Sequence, residues 1–203
     1  MEDASLCATF LIGGPIAQKL SNEEKDKLLK LARKTIEQYL KDGSRAPLPE
    51  ATGILGEKCG AFVTLHSHGD LRGCIGNMVG QCPLVETIRE MAIAAATGDP
   101  RFHRVSPDEL KEIDIEISVL SPMKRITDVS EIEVGTHGIL MRQGLNQGVL
   151  LPQVATEYGW DRETFLTHTC LKAGLPTEAW KDPSTAIEIF SAEVFGEKER
   201  VSN

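Results

Sequence analysis

The sequence predicts an α+β fold in which helices pack against antiparallel sheet. Two observations support this prediction. Segments with apolar residues at helical spacing alternate with pairs of strand-like segments that are joined by short turns. The chain also offers few strand–helix–strand units of the kind that build parallel sheets. Helices and hairpins therefore interleave, and we expect the helices to cover antiparallel strands.

The N-terminal part of the domain predicts a helix followed by a hairpin. Ser21 and Glu24 form a capping-box pattern, apolar residues follow at helical spacing, and Gly43 ends the helix. The segments 60–66 and 71–76 are rich in strand-forming residues and flank a polar turn. This arrangement is typical of a β-hairpin.

The middle of the chain predicts a second helix, a short turn and a strand. Pro83 is expected at the first position of a helix that ends at Gly98. Ser106 begins a second capping-box pattern that leaves room only for a short turn. Apolar and polar residues then alternate over 113–119, which indicates a half-buried strand whose polar face is solvated.

The C-terminal part predicts a hairpin, a helix and a last strand. The segments 138–142 and 148–151 flank a turn that contains glycine and asparagine. Asp161 is an N-cap for a helix that ends at Gly174. Apolar residues within 187–194 then indicate a final strand.

The composition is that of a globular chain and argues against several classes of protein. Of 203 residues, 41% are hydrophobic and 26% are charged, and 22 Lys and Arg against 30 Asp and Glu give a net charge of −8. Nucleic-acid binders draw affinity mainly from Lys and Arg contacts to phosphates, so no nucleic-acid partner is expected. No apolar run reaches about 18 residues, so no membrane partner is expected.

The N-terminus and the cysteines indicate a cytoplasmic protein. Residues 1–20 carry Glu2 and Asp3 where a secretory signal needs basic residues, so we interpret them as an extension before a domain at 21–203. The five cysteines include no Cys-x-x-Cys pair, which argues against a structural zinc and a disulfide framework. Free thiols favour a reducing compartment, most simply the cytoplasm.

The stretch 71–76, LRGCIG, is the most unusual in the chain. Glycine weakens a strand, so Gly73 and Gly76 indicate close approach by a ligand or another element. Period-two alternation places Arg72 and Cys74 on one face, where a cation favours the nucleophilic thiolate. Cys74 is a candidate nucleophile, with Arg72 as its activator or anion anchor. The alternative is a small buried cysteine whose glycines admit a packed helix.

Two nearby histidines are candidate partners for Cys74. A two- or four-residue turn would pair Val63 with Cys74 across the hairpin. His66 would then pair with Leu71 and lie on the face opposite Cys74, whereas a three-residue turn would reverse this parity. His68 lies at the turn tip, where it is expected to be solvated. The His-x-His pattern has no third ligand at a readable spacing, so no metal site is predicted.

Five sequence blocks together resemble the AMMECR family, and LRGCIG at 71–76 is the most specific. The other blocks are AAA and DPRF within 94–102, LLPQVA at 150–155, Glu, Trp and Phe-Leu within 157–166, and KAGLP with Trp within 172–180. The resemblance runs from about Ser21 to Glu197. His103 and Arg104 stand where the family commonly has prolines.

The resemblance implies a two-lobed α+β domain with a cleft between the lobes. One lobe would be built from both chain ends and the other from middle segments. Two groups of site residues follow from the matching blocks. The LRGCIG block supplies Arg72, Gly73, Cys74 and Gly76. The secondary blocks supply Asp99, Arg101, Pro152 and Gln153, which are expected to line the same cleft unless Pro152 only starts a helix.

The resemblance also implies partners. Prokaryotic relatives occur beside, or fused to, Memo-type proteins and radical-SAM enzymes, which implies a shared modification pathway but no particular cofactor. Two functions are therefore considered. The first is a cysteine-dependent enzyme or a sulfur-handling component of that pathway. The second is a non-catalytic protein-interaction module.

Overall fold

The computed structural model describes residues 19–198, which form helices packed against an antiparallel sheet. The helices are α1 (Asn22–Asp42), α2 (Leu84–Thr97), α3 (Pro152–Glu157) and α4 (Arg162–Lys172). The strands are β1 (Ala61–Ser67), β2 (Asp70–Asn77), β3 (Ile113–Leu120), β4 (Lys124–Ile126), β5 (His137–Gln143), β6 (Asn146–Leu150) and β7 (Ala186–Gly196). The α+β fold class is confirmed. All but the last two residues of the expected extension 1–20 lie outside the described part.

Helix α1 begins and ends where its sequence predicts. The Ser21 hydroxyl accepts a hydrogen bond from the Glu24 backbone N–H at 3.3 Å, and the Glu24 carboxylate accepts one from the Ser21 N–H at 2.8 Å. These reciprocal bonds satisfy two donors that the first helical turn leaves free. Gly43 follows with φ of 78°, a backbone conformation that glycine adopts without steric cost.

Strand β7 joins the two halves of the sheet. Its first part, 186–191, pairs with β5 on one side and with the short β4 on the other, whereas its last part, 192–196, pairs with β3. The strand order is β2-β1-β3-β7-β5-β6, with β4 beside β7. Four strands therefore separate β2 from β6 in this order.

Buried apolar side chains form two clusters, one in each half. The first core lies between α1, α2, β1 and β3, draws on residues 20–119, and also includes Phe195 of β7. The second core lies between β4, β5, the first part of β7 and the helices α3 and α4, and draws on residues 126–189. Because β7 contributes to both, one continuous strand connects two separately packed interiors.

A groove lies where the two halves meet. Its cavity volume is about 640 Å³, and we call it the junction groove. The lining includes the end of β3, the middle of β7 and the residues Gly135 and Thr136 that precede β5. The junction groove is thus a candidate for the cleft that the resemblance implies.

Three details differ from the sequence-based expectations. Pro83 is the N-cap of α2 instead of its first helical residue. The three-residue strand β4 is too short for its pattern to be seen in the sequence. Ser118 on the polar side of β3 is only 4% exposed, so the expected solvated face is wrong at that position. No helix within 19–198 is long and apolar enough to cross a membrane.

Candidate functional site

A tight turn sets the pairing of β1 with β2. His68 and Gly69 form its two central residues, and both have positive φ, 54° and 94°. Positive φ at both positions matches the twist of the flanking strands. The first pairs beside the turn are Ser67 with Asp70, and His66 with Leu71. The expected hairpin and this His66 pairing are confirmed.

A β-bulge changes the register beyond the first two pairs. Leu65 pairs with Gly73, so Arg72 is an extra residue with no partner on β1. Thr64 then lies opposite Cys74, and the expected pairing of Val63 with Cys74 is wrong. One inserted residue reverses the parity of all later side chains, which alternation alone does not reveal.

The bulge brings His66 to the same face as Cys74. Cross-strand partners share a face, and residues two apart on a strand share one too, so Thr64, His66 and Cys74 lie together. The expectation that His66 lies on the opposite face is therefore wrong. Val63 and Leu65 point to the other face, into the first core, where both are fully buried.

The sulfur of Cys74 is held on a half-exposed polar face. The Thr64 hydroxyl donates a hydrogen bond to Cys74 Sγ at 3.2 Å, and the residue is of intermediate exposure. The His66 side chain is 31% exposed, and its Nε2 is buried without a hydrogen-bond partner in the described part of the chain. Glu116 Oε1 lies 4.0 Å from that nitrogen. Cys74 of β2, His66 of β1 and Glu116 of β3 therefore share one face of the sheet, and Thr64 lies directly between Cys74 and Glu116.

The two glycines of the 71–76 stretch are explained by packing on opposite faces. A Cβ atom at Gly73 would lie 2.3 Å from the carbonyl oxygen of Ala95 in α2. A Cβ atom at Gly76 would lie 2.3 Å from the ring of Phe62. Glycine at these positions lets a helix backbone and an aromatic ring approach the strand closely.

Asp99 and Arg101 cover the outer edge of β2 at Cys74. The Cys74 N–H donates to Asp99 Oδ2 at 2.8 Å, and Arg101 Nη2 donates to the Cys74 carbonyl oxygen at 3.4 Å. The two side chains are joined to each other at 2.7 Å. Together they satisfy the backbone groups that an edge strand leaves free. We call this arrangement the edge clamp.

The Asp99 carboxyl is ionised because of the groups around it. Its side chain is only 2% exposed, and burial alone would raise its pKa. Hydrogen bonds from the Arg101 guanidinium, and then from the Cys74 N–H, instead hold that pKa far below its usual range. The edge clamp is therefore a charged pair down to strongly acidic pH.

Arg72 is paired with a carboxylate instead of the thiol. Its Nε and Nη2 donate to the Glu109 carboxylate at 2.5 and 3.1 Å, and Nη2 also donates to the His103 carbonyl oxygen at 2.9 Å. The guanidinium lowers the pKa of Glu109 through these bonds. Arg72 Nη1 is buried and has no partner among residues 19–198. The expected activation of Cys74 by direct contact with Arg72 is not seen.

A second cavity lies beside the edge clamp. It has a volume of about 320 Å³ and is lined by Arg72, Pro100, Arg101, Phe102 and His103. We call it the arginine pocket. The guanidinium carbons of Arg72 and Arg101 lie 5.8 and 5.5 Å from the centre of the Phe102 ring, within the range of cation–π attraction.

Gln153 lies apart from the other predicted site residues. Pro152 is the first residue of α3, as the helix-start alternative expects, and Gln153 follows it. This helix packs on β5 in the second half of the protein, far along the strand order from β2. The structure thus brings Asp99 and Arg101 to the Cys74 backbone, pairs Arg72 with Glu109 nearby, and does not bring Gln153 there. Within 19–198, none of these residues lines the junction groove. That they line one shared cleft stays a prediction.

The other thiols differ from Cys74 in their surroundings. Cys59 and Cys170 are buried, and burial raises the pKa of both. Cys82 has intermediate exposure like Cys74 and also lies beside a threonine hydroxyl, that of Thr87 at 3.4 Å. No group of three His, Cys, Asp or Glu side chains within 19–198 is arranged to hold a metal ion.

Three contributors to the site were not predicted as site residues, although Glu116 was visible as a carboxylate on the polar face of β3. Thr64 and Glu116 become neighbours of Cys74 and His66 only through strand pairing, which the bulge shifts. Glu109 was visible as a capping residue of the turn after Ser106, and both capping bonds are present. Glu109 is also the partner of Arg72. The two residues are 37 positions apart in the sequence, and no local sequence pattern indicates that they meet.

Comparisons with known proteins give one consistent result. The family model described as AMMECR1 matches residues 29–195. Protein MK0488 of Methanopyrus kandleri is 48% identical over 193 residues, covering 91% of this chain and 93% of that protein. Protein TK0174 of Thermococcus kodakarensis is 44% identical over 191 residues, covering 89% and 93%. The crystal structure of uncharacterized protein PH0010 from Pyrococcus horikoshii is similar with a TM-score of 0.81 and 42% identity, covering 89% of this chain and 95% of that one.

Proposed function

The chain belongs to the AMMECR1 family, and on that premise we propose that it is a cysteine-dependent enzyme or sulfur-handling component of a modification pathway. One observation carries the proposal. The sulfur of Cys74, a residue of intermediate exposure, accepts a hydrogen bond from Thr64 on the same sheet face as His66, whose buried nitrogen has no partner within 19–198. Cys74 is the proposed nucleophile.

The chemistry follows from the order of the groups. The thiol proton passes to the imidazole of His66, and the sulfur electron pair forms a bond to an electrophilic carbon of a small metabolite or a partner protein. The bond from that carbon to its leaving group breaks, and the leaving group departs with the electron pair and takes up the proton held by His66. The Thr64 hydroxyl donates a hydrogen bond to the sulfur and holds it in place. The carboxylate of Glu116, 4.0 Å from His66, favours the imidazolium that forms.

The other candidate residues hold strand β2, which carries Cys74, in position. Gly73 and Gly76 let β2 pack closely on both faces, and Asp99 and Arg101 hold the Cys74 backbone in place. They act as positioning residues. Gln153 stays a proposed binding residue for a part of the substrate or partner that reaches the second half of the protein.

We further propose Memo-type and radical-SAM proteins as the pathway partners and the cytoplasm as the location. The partner proposal rests on the family resemblance. The location rests on the free cysteines, which persist most simply in a reducing compartment.

A complementation experiment tests the function. A strain lacking its own copy of this protein receives wild type, Cys74→Ser or the matched control Cys82→Ser. We expect Cys74→Ser to lose the modified product, detected by comparative mass spectrometry, while it still copurifies with the partners. Cys82→Ser should keep both. Unchanged output from Cys74→Ser would contradict the enzyme proposal.

The junction groove favours a second candidate, a non-catalytic interaction module. Its volume, about 640 Å³, is twice that of the arginine pocket, and apolar side chains such as Val119, Leu120 and Val194 line it. In this alternative, a partner protein docks in the groove and Cys74 is structural. A Thr136→Arg variant, which places a long charged side chain at the groove, should then abolish copurification while Cys74→Ser has no effect on output.

A further inference from the structure

We propose that the arginine pocket binds the phosphoryl group of a small organic phosphate. This inference goes beyond the function proposed above, because such binding requires no reaction at Cys74. It begins from the lining of the cavity, which contributes two arginines and a histidine but no acidic side chain. That lining is unusual on a chain whose net charge is −8.

The two guanidinium groups are held in place before any ligand arrives. Arg72 is fixed by Glu109 and by the His103 carbonyl oxygen, and Arg101 is fixed by Asp99. The Phe102 ring lies within 6 Å of both guanidinium carbons. Ordered donors lose little conformational entropy on binding, which raises affinity for a ligand that matches their geometry.

Both guanidinium groups keep N–H donors that these internal bonds do not use. Nη1 of Arg72 is buried and unpartnered within 19–198, although its N–H groups would gain from an acceptor. The Arg101 side chain is 53% exposed, so its guanidinium is accessible from the solvent. A phosphoryl group offers several charged acceptor oxygens, and planar guanidinium groups bind such oxygens with paired hydrogen bonds.

The size of the cavity limits the ligand. A volume of about 320 Å³ lies at the lower end of small-molecule sites, which suits a phosphoryl group with a small organic part. The acidic net charge of the chain opposes a nucleic acid, which would need an extended basic surface.

Two variants at the ion pair between Arg72 and Glu109 should change the affinity for phosphate in opposite directions. The Glu109 carboxylate competes with a bound anion for Arg72. Glu109→Gln should therefore strengthen phosphate binding, since it removes the competing negative charge while the amide oxygen can still accept a hydrogen bond from Arg72 and keep it in place. The double variant Arg72→Gln/Glu109→Gln should weaken binding, and it leaves no half-buried charge without a partner. A purely structural ion pair would give neither effect.

The measurement is an NMR titration of the full chain with inorganic phosphate at constant ionic strength. We expect saturable shifts at residues 72 and 100–103, tighter binding for Glu109→Gln, and at least about tenfold weaker binding for the double variant. Arg142→Gln is the matched control, because Arg142 is likewise paired with a carboxylate, that of Glu188 at 2.9 Å, and lies in the second half. It should bind phosphate as wild type does.

Three results would overturn the proposal. The first is the absence of saturable shifts in the wild type. The second is equal affinity in the Glu109→Gln and double variants while their circular dichroism spectra match the wild type. The third is equally tight binding of acetate, which would show that the pocket does not select a phosphoryl group. Since the titration does not involve the thiol, its failure leaves the Cys74 proposal standing.

Discussion

At the scale of single residues, Arg72 determines the surroundings of Cys74 through its place in the backbone. As the extra residue of a β-bulge, it reverses the side-chain parity of β2 and brings Cys74 to the face of His66. Its charge acts elsewhere, on Glu109. The residue types were visible in the sequence, whereas the position of the bulge was not.

Gly73 gives the sharpest prediction at this scale. Gly73→Ala should lower the free energy of unfolding by about 1–3 kcal/mol, because its Cβ atom would lie 2.3 Å from the backbone oxygen of Ala95. Chemical denaturation measures the change. Gly196→Ala is the control, since the nearest atom to its Cβ would be at an ordinary 3.5 Å. Equal losses in both variants would contradict the packing role of Gly73.

At the scale of elements, the edge clamp links the end of α2 to the outer strand of the sheet. Asp99 and Arg101 stand in for a neighbouring strand by accepting from and donating to the Cys74 backbone. The DPRF block was recognised from the sequence as a candidate site. Its structural role could not be predicted, because it depends on which backbone groups of β2 face away from β1.

The edge clamp predicts how the free energy of unfolding depends on acidic pH. Asp99→Asn should cost about 1.5–3 kcal/mol at neutral pH, since it removes a charge-assisted bond to Arg101 from a buried position. The folded pKa of Asp99 is lowered, so its contribution is complete above the unfolded value of about 3.9 and is lost as the pH falls below it. Denaturation curves across acidic pH should be less steeply pH-dependent for Asp99→Asn. An identical slope in the two proteins would disprove this role.

At the scale of the whole molecule, one strand holds two cores together. The sequence predicted most of the elements from caps, turn residues and alternation, and the helix α1 and the hairpin of β1 and β2 match closely. The division of β7 between β3 and β5 was not predictable, because a strand's apolar pattern does not specify which neighbours it pairs with.

Shared packing through β7 predicts a single cooperative unfolding transition. Both tryptophans, Trp160 and Trp180, pack against the second core, so their fluorescence reports that core alone. Far-UV circular dichroism also reports α1 and α2 of the first core. The denaturation midpoints measured by fluorescence and by circular dichroism should coincide. Leu65→Ala in the first core should lower the free energy of unfolding by about 2–5 kcal/mol and should shift both midpoints equally. A shift in dichroism alone would mean that the halves unfold independently.

The most direct test of the whole account is the alkylation rate of Cys74, measured across pH by iodoacetamide labelling and peptide mass spectrometry. Cys82, which is similarly exposed and also beside a threonine, serves as the internal control. We predict that Cys74 reacts faster than Cys82 near neutral pH and slows at least about tenfold in His66→Gln, with Cys82 unchanged. A Cys74 that reacts no faster than Cys82, or is indifferent to His66→Gln, would contradict the account.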